Sequence, residues 1–242
     1  SSLNRQTLFR FVTSLAHLRP NTTRRRLHAL GSWFRYLIEL GAMRSNPAHG
    51  LPLPRRERKL PHYPTAAQVR LLLDAAIKPV ERAVAWLLAT AGLRRAELCD
   101  LDLDSLSADG TQLLVRGKGD RKERLPLPAD VGAALAAYLR NGRPEGVTCR
   151  RVFLSVRAPL RPMTSSSVKQ AVEAAGLRTG LGRTTPHRLR HTAATEMLRA
   201  GAPLIEIGQV LRHRRLQTTA IYAKTDREAL RLLARPWPGG GA

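Results

Sequence analysis

Apolar side chains recur every three to four positions through most of this chain, the period of a helix with one buried face. Leu8, Val12 and Leu15 set a first helix over residues 8–16. After a break at Pro20-Asn21, the stripe Leu27, Leu30, Phe34, Leu37 and Ile38 predicts a longer one over 22–40. Thr65 followed by Gln68 reads as a capping box ahead of Val69, Leu72 and Leu73. A helix over 79–91, apolar through Val84, Ala85, Leu87 and Leu88, is closed by Gly92, and a short one over 93–98 follows. The period then drops to two: 112–115 and 123–127 read as strands joined through the tight turn Gly117-Lys118-Gly119-Asp120. A third short strand is expected at 152–154, and helices at 129–139 and 164–177. Thr185 and Pro186 form an N-cap and first-turn pair for another helix. Helices at 203–211, 216–222 and 227–234 complete the reading before Pro236-Trp237-Pro238. The expected fold is mainly α with a small antiparallel β-sheet, an α+β chain.

Residues 46–64, NPAHGLPLPRRERKLPHYP, interrupt the helical pattern with five prolines and predict an extended strap. We expect an N-terminal helical domain at 1–50, a basic linker at 51–63 and a second domain at 64–242. Charge then points to a partner. The 242 residues carry 41 Lys plus Arg against 18 Asp plus Glu, a formal net charge of +23. Such an excess self-repels unless a polyanion neutralises it, which makes nucleic acid the expected partner. Arg24, Arg25 and Arg26 fan around the second helix, and Arg55, Arg56, Arg58 and Lys59 line the strap; all seven are candidate phosphate contacts. No apolar run reaches the ~20 residues that span a bilayer. Cys99 and Cys149, the two cysteines, make neither a disulfide framework nor a zinc quartet, which fits the cytoplasm. The chain starts at Ser1 rather than Met, so its true start is expected upstream.

The candidate chemistry lies in TPHRLRHTAATEMLRAGAPLIEIGQVLRHRRLQTTAIYAK, residues 185–224. His187, Arg190 and His191 fall on one helix side at i, i+3 and i+4, opposite Leu189, Ala193 and Met197. Two histidines four apart can share a metal, but no HExxH is present and Arg190 would repel a dication. The set suits phosphoryl transfer instead. An attacked phosphodiester gathers charge on its non-bridging oxygens, and a guanidinium fork matches that geometry. Arg94 and Arg190 are placed to clamp the two oxygens, with His213 adding a third hydrogen bond. Tyr222 is the candidate nucleophile. With a reference pKa of roughly 10, on the order of one phenol in a thousand is ionised at neutral pH. Nearby cations are expected to raise that fraction, with His187 as base and Lys118, at the hairpin tip, as general acid.

The blocks GLRRAEL, RGKGDRKERLPLP, TPHRLRHTAATEML and LRHRRLQTTAIYAK resemble, in order and spacing, the signature blocks of the tyrosine recombinases, the Xer-type enzymes and phage or transposon integrases. The resemblance runs from about Asn21 onward. It implies a catalytic set of Arg94, Lys118, His187, Arg190, His213 and Tyr222, with Glu97 as an accompanying acidic residue. It implies a SAM-like core-binding domain ahead of the catalytic domain, no cofactor, and cutting and rejoining of DNA through a 3′-phosphotyrosyl link without ATP or metal. It implies a homotetramer on paired sites, with the last helix, 227–234, exchanged between protomers. The family's usual Leu-Gly-His is here Leu211-Arg212-His213, which makes Arg212 a further candidate phosphate contact. Ala96 stands where serine or glycine is common. The N-terminal domain is short, as if its first helix were missing. The alternatives are a truncated or inactive integrase that binds DNA without cutting, and a type IB topoisomerase.

Overall fold

A computed structural model describes residues 5–55, 63–117, 122–213, 218, 219 and 222. The chain divides into two compact units between residues 60 and 61.

The first unit contains α1 (Arg5–Ser14) and α2 (Pro20–Glu39). Pro20 does not precede α2, as expected, but begins it: its fixed φ and missing N–H suit the first helical turn, where no amide partner is needed. Leu8, Leu15, Leu27 and Phe34 are buried, while Leu30, Leu37 and Ile38 are half-covered. The Thr23 hydroxyl donates to the Leu15 carbonyl at 3.4 Å, tying α2 to the end of the α1 segment. Trp33 and Tyr36 stay largely exposed.

The second unit is built around α4 (Pro79–Ala89), which packs against α3 (Ala66–Asp74), α6 (Ala129–Asn141), α7 (Ser165–Arg178) and α8 (Pro186–Arg199). A central helix of this kind is apolar over most of its surface: Val80, Ala83, Val84, Ala85, Leu87 and Leu88 are all buried, and Arg82 alone is exposed. The capping box of α3 is formed: the Gln68 amide donates to Thr65 Oγ1 at 3.3 Å, and the Thr65 amide donates to Gln68 Oε1 at 2.9 Å. Glu81 is buried on α4 but paired with Arg178 of α7 at 2.8 Å. α5 (Arg95–Cys99) leads through a 3₁₀ turn (Leu103–Ser105) to β1 (Gln112–Arg116) and β2 (Lys122–Pro126). These strands pair antiparallel, with Leu113 opposite Leu125 and Val115 opposite Glu123. Period two turns Leu113, Val115 and Leu125 inward. α9 (Leu204–Val210) follows α8, and residues 218, 219 and 222 are helical.

Residues 152–154 do not form the expected third strand. Among the described residues the sheet has two strands, and this stretch makes isolated bridges instead. Its backbone bonds alternate between two neighbours: the Val152 amide donates to Leu101 O at 2.8 Å, while Phe153 O accepts from the Met163 amide at 2.9 Å. No ladder can continue on either side. Val152, Phe153 and Leu154 are nevertheless fully buried, and the Tyr138 ring stacks on Phe153 at 5.0 Å. The Tyr138 hydroxyl accepts from the Leu154 amide at 3.1 Å. Phe153→Ala is expected to lower unfolding free energy by about 3–5 kcal/mol through the cavity it leaves. Tyr138→Phe, which orphans one buried amide, is expected to cost only about 1–3 kcal/mol. Urea midpoints at constant m-value would separate the two.

Candidate active site

α8 carries most of the candidate chemistry. Thr185 occupies its N-cap as expected, but its side chain makes no capping bond; Pro186 supplies the first turn. Leu189 and Ala193 face the core. The opposite side is not solvent-facing throughout: His187 is exposed, His191 half-buried and Arg190 only 3% exposed.

A guanidinium so deep must find acceptors. Arg190 donates Nη1 to the Gly92 carbonyl and Nη2 to the Leu211 carbonyl, both at close range. These two carbonyls sit in the turn after α4 and at the end of α9. Gly92 has a φ of +58°, which glycine takes without strain, and a Cβ there would lie 2.6 Å from Leu211 Cδ2 and force that side chain to shift. Burial, then the neighbouring Arg94 and Arg212, lowers the Arg190 pKa to about 9, so the group stays charged at neutral pH.

Arg94 is the N-cap of α5. Its Nη1 pairs with Glu97 Oε1 at 2.5 Å, its amide donates to Glu97 Oε2 at 2.8 Å, and its Nη2 donates to the Arg212 carbonyl at 2.8 Å. Its side chain remains 40% exposed. It lines a groove of about 870 Å³ with Glu97, Arg116, Gly117, Arg212, His213 and Thr219. His187, Arg190 and Tyr222 are not among the residues that line that groove.

Arg212 differs from its expected role. The side chain is 3% exposed and pairs with Glu97 Oε2 at 2.8 Å, so it faces the carboxylate rather than a passing phosphate backbone. Arg24 is likewise engaged internally, donating to the Pro54 carbonyl at 2.9 Å. Arg25, Arg26 and Arg55 are exposed. Lys118, Arg56, Arg58, Lys59 and the helix expected at 227–234 lie outside the described residues.

Tyr222 is 2% exposed and packs with Ala194, Ile207 and Leu211. The His213 ring stacks on it at 6.1 Å, and His213 Nδ1 is 2.8 Å from the Thr219 hydroxyl. Burial raises the Tyr222 pKa, and Arg190 and Arg94 only partly offset this. The expectation that nearby cations enrich the phenolate is thereby corrected: desolvation of a buried anion outweighs them. His187, the expected base, is held neutral by partial desolvation and then by Arg190, Arg95 and Arg94.

His191 has no place in the catalytic set that the resemblance implies, yet it stands among these residues. Its ring lies edge-on to both His187, at 4.3 Å, and Tyr222, at 5.3 Å, and Tyr63 stacks beyond it at 6.4 Å. Its Nδ1 is buried without a hydrogen-bond partner. The signal was present, since i, i+4 spacing already places it beside His187. Its contact with Tyr222 depends on the tertiary fold.

A mainly helical fold with a small two-stranded antiparallel hairpin, as here, is that of the tyrosine recombinases. It matches the crystal structure of XerA recombinase at TM-score 0.66 and 26% identity, over 96% of this chain and 82% of that one. XerH recombinase, solved with a palindromic difH substrate after cleavage, gives TM-score 0.81 at 20% identity, over 98% and 73%. Residues 63–229 match the phage integrase family, and the chain belongs to that family. Tyrosine recombinase XerC of Alcanivorax borkumensis is 35% identical over 215 residues, 85% of this chain and 69% of that protein. A Sinorhizobium fredii protein, provisionally named as an integrase/recombinase, is 51% identical over 155 residues. That match spans 63% of this chain but only 37% of the relative.

Burial and neighbouring cations lower His191 and His213 from 6.5 to about 4. The folded state therefore binds fewer protons than the unfolded one. The stability this contributes is complete above pH 6.5 and is lost as pH falls towards 4; Glu97, also lowered, adds a further loss below that window. Thermal melts are expected to show a falling midpoint between pH 6.5 and 4, and a His191→Gln/His213→Gln double variant is expected to be flatter there.

Proposed function

We propose that this chain is a site-specific DNA recombinase that cuts and rejoins duplex DNA through Tyr222. The observation that carries the reading is the gathering of Arg94, Arg190 and His213 about Tyr222, with His187 one ring further off across His191, from three stretches of chain besides the tyrosine's own. Recombinases of the same fold are solved with DNA, XerH on a difH substrate and lambda integrase on a core site. The charge of +23 suits the same partner.

In this reading the scissile phosphate enters from the groove side, where Arg94 is exposed. Arg94 and Arg190 neutralise its non-bridging oxygens, and Arg190 arrives already oriented by its two carbonyl partners. His213 is neutral at working pH and donates a single N–H. Thr219 fixes its ring through Nδ1. Because burial keeps Tyr222 protonated, its proton must leave as the oxygen attacks, and the neutral His187 is the acceptor. The Tyr222 oxygen bonds to phosphorus, the bond to the 5′ oxygen breaks, and that oxygen takes a proton, from Lys118 by the family resemblance. A 5′-hydroxyl of a partner duplex reverses the step and restores the phosphodiester, so no external energy source is required.

Arg24, Arg25, Arg26, Arg55, Arg56, Arg58 and Lys59 are assigned to phosphate contacts of the first unit and the strap, with Arg24 having to leave the Pro54 carbonyl to serve. The active assembly is a homotetramer exchanging its C-terminal helices, working in the cytoplasm on the nucleoid or on a mobile genetic element. The free thiols of Cys99 and Cys149 are compatible with that compartment.

Sequencing DNA crosslinked to Tyr222 would supply the site, and a nicked suicide duplex carrying it would trap the covalent adduct. Tyr222→Phe is expected to abolish the adduct. Arg190→Ala is expected to slow it by about 10²–10³-fold, as for loss of one preorganised donor, with duplex binding nearly unchanged. Gel shifts without any adduct in the unaltered protein would favour the non-cutting alternative. Relaxation of plasmid lacking the site would favour the topoisomerase.

A further inference from the structure

Arg212 is the departure that gives this site its own character. It adopts a φ of +54°, the left-handed region, and is the one non-glycine residue to do so among the described residues. A side chain there is strained by contact between Cβ and the following carbonyl, so something must hold it. The holding contacts are present. Nη2 pairs with Glu97 Oε2 at 2.8 Å and reaches the Gly92 carbonyl at 3.3 Å. Nη1 donates to the Val210 carbonyl at 2.7 Å. Its own carbonyl accepts Arg94 Nη2 at 2.8 Å. The Nε is buried with no partner, so the guanidinium is held from its Nη end.

These contacts join three segments: α5, which bears Glu97 behind its Arg94 cap; the Gly92 turn, which orients Arg190; and the end of α9, which runs into His213. We propose that Arg212 is a positioning residue, a buried guanidinium that locks the His213 segment onto Glu97 and so sets Arg94 and Arg190 for the phosphate. This rests on the recombinase reading of the site. Glu97 faces the cations Arg94 and Arg212, with Arg190 and the neutral His213 close by. Without Arg212 the carboxylate has Arg94 alone as a direct ionic partner, and Arg94 is then drawn more fully to Glu97 and away from the groove. With it, the three guanidiniums and one carboxylate leave a surplus of positive charge for an incoming phosphate. Glu97 reports the tie directly: burial raises its pKa, but the Arg212 hydrogen bond and charge, followed by Arg94, bring it below the ordinary carboxylate value.

Arg212→Gly isolates the side chain, because glycine takes a positive φ without strain and the fold is expected to persist. Two readouts are needed. Carbon-13 titration of Glu97 in the DNA-free protein is expected to move upward in Arg212→Gly and to be largely restored in Arg212→Lys. Single-turnover adduct formation, on the suicide duplex carrying the crosslinked site, is expected to fall by about ten- to hundred-fold in Arg212→Gly. Duplex affinity should stay within about three-fold, since the guanidinium acts on its neighbours rather than on DNA. Its acidic limb should shift up in pH with the Glu97 titration. An unchanged Glu97 titration, or an adduct rate equal to that of the unaltered protein, overturns the proposal. So does a rate loss matched by an equal loss of binding, which would make Arg212 a DNA contact. If the unaltered protein forms no adduct, the recombinase reading has failed instead, and the Glu97 titration alone decides whether the tie exists.

Discussion

Arg190 is 3% exposed, and a charge so far from water persists only if its donors are met. The Gly92 and Leu211 carbonyls meet them, and almost everything else in the site depends on bringing those two oxygens together. α4 must be buried along most of its surface to hold the Gly92 turn in place, and α8 must pack on α4 to deliver Arg190 to that turn. α9 must end where Leu211 can close against a glycine that has no Cβ to obstruct it. The hydrophobic core of the second unit thus has a chemical consequence: it fixes the direction of a guanidinium fork before any ligand is bound.

Around that fork the charges do not balance. Arg94, Arg190 and Arg212 crowd a single buried carboxylate, and their mutual repulsion contributes to lowering the Arg190 pKa. An arrangement of this kind is unfavourable to the empty protein and favourable to a bound phosphodiester, which supplies the missing negative charge. The histidines follow the same logic. His187, His191 and His213 each have lowered pKa values because burial first, and then the neighbouring positive charge, disfavours the imidazolium. The result at neutral pH is a division of charge: the guanidiniums are cationic and the imidazoles neutral.

Much of this was legible in the chain. Helical period placed α2, α4, α7 and α8 within a few residues, because each buries a continuous stripe and stripes survive in sequence. The i, i+3 and i+4 relations on α8 were equally local, and the ion pair of Arg94 with Glu97 likewise spans only three positions. What escaped reading was set by contacts between distant segments. Residues 152–154 look like a strand because they are apolar and branched or aromatic, yet their backbone partners lie on two different segments, so no ladder forms. Arg212 looks like a surface cation in a basic run. Its inward turn follows from a left-handed backbone and a carboxylate more than a hundred positions upstream, neither of which local pattern encodes. His191 has no place in the motif set, although its ring lies against the tyrosine.

Tyr222 brings these constraints to one atom. Had cations dominated its surroundings, the phenol would rest partly ionised and could attack any phosphate that wandered near. Burial dominates instead and raises its pKa, so at rest the oxygen keeps its proton. An arriving phosphate brings negative charge close to the ring and disfavours the phenolate further. In the proposed reaction, ionisation is therefore coupled to attack, with the developing negative charge passing from the tyrosine to phosphate oxygens held by Arg94 and Arg190. In the proposed recombinase, whose covalent intermediate would be a broken DNA strand, the same burial that slows adventitious attack leaves attack at an ordered site dependent on proton transfer to a neutral histidine.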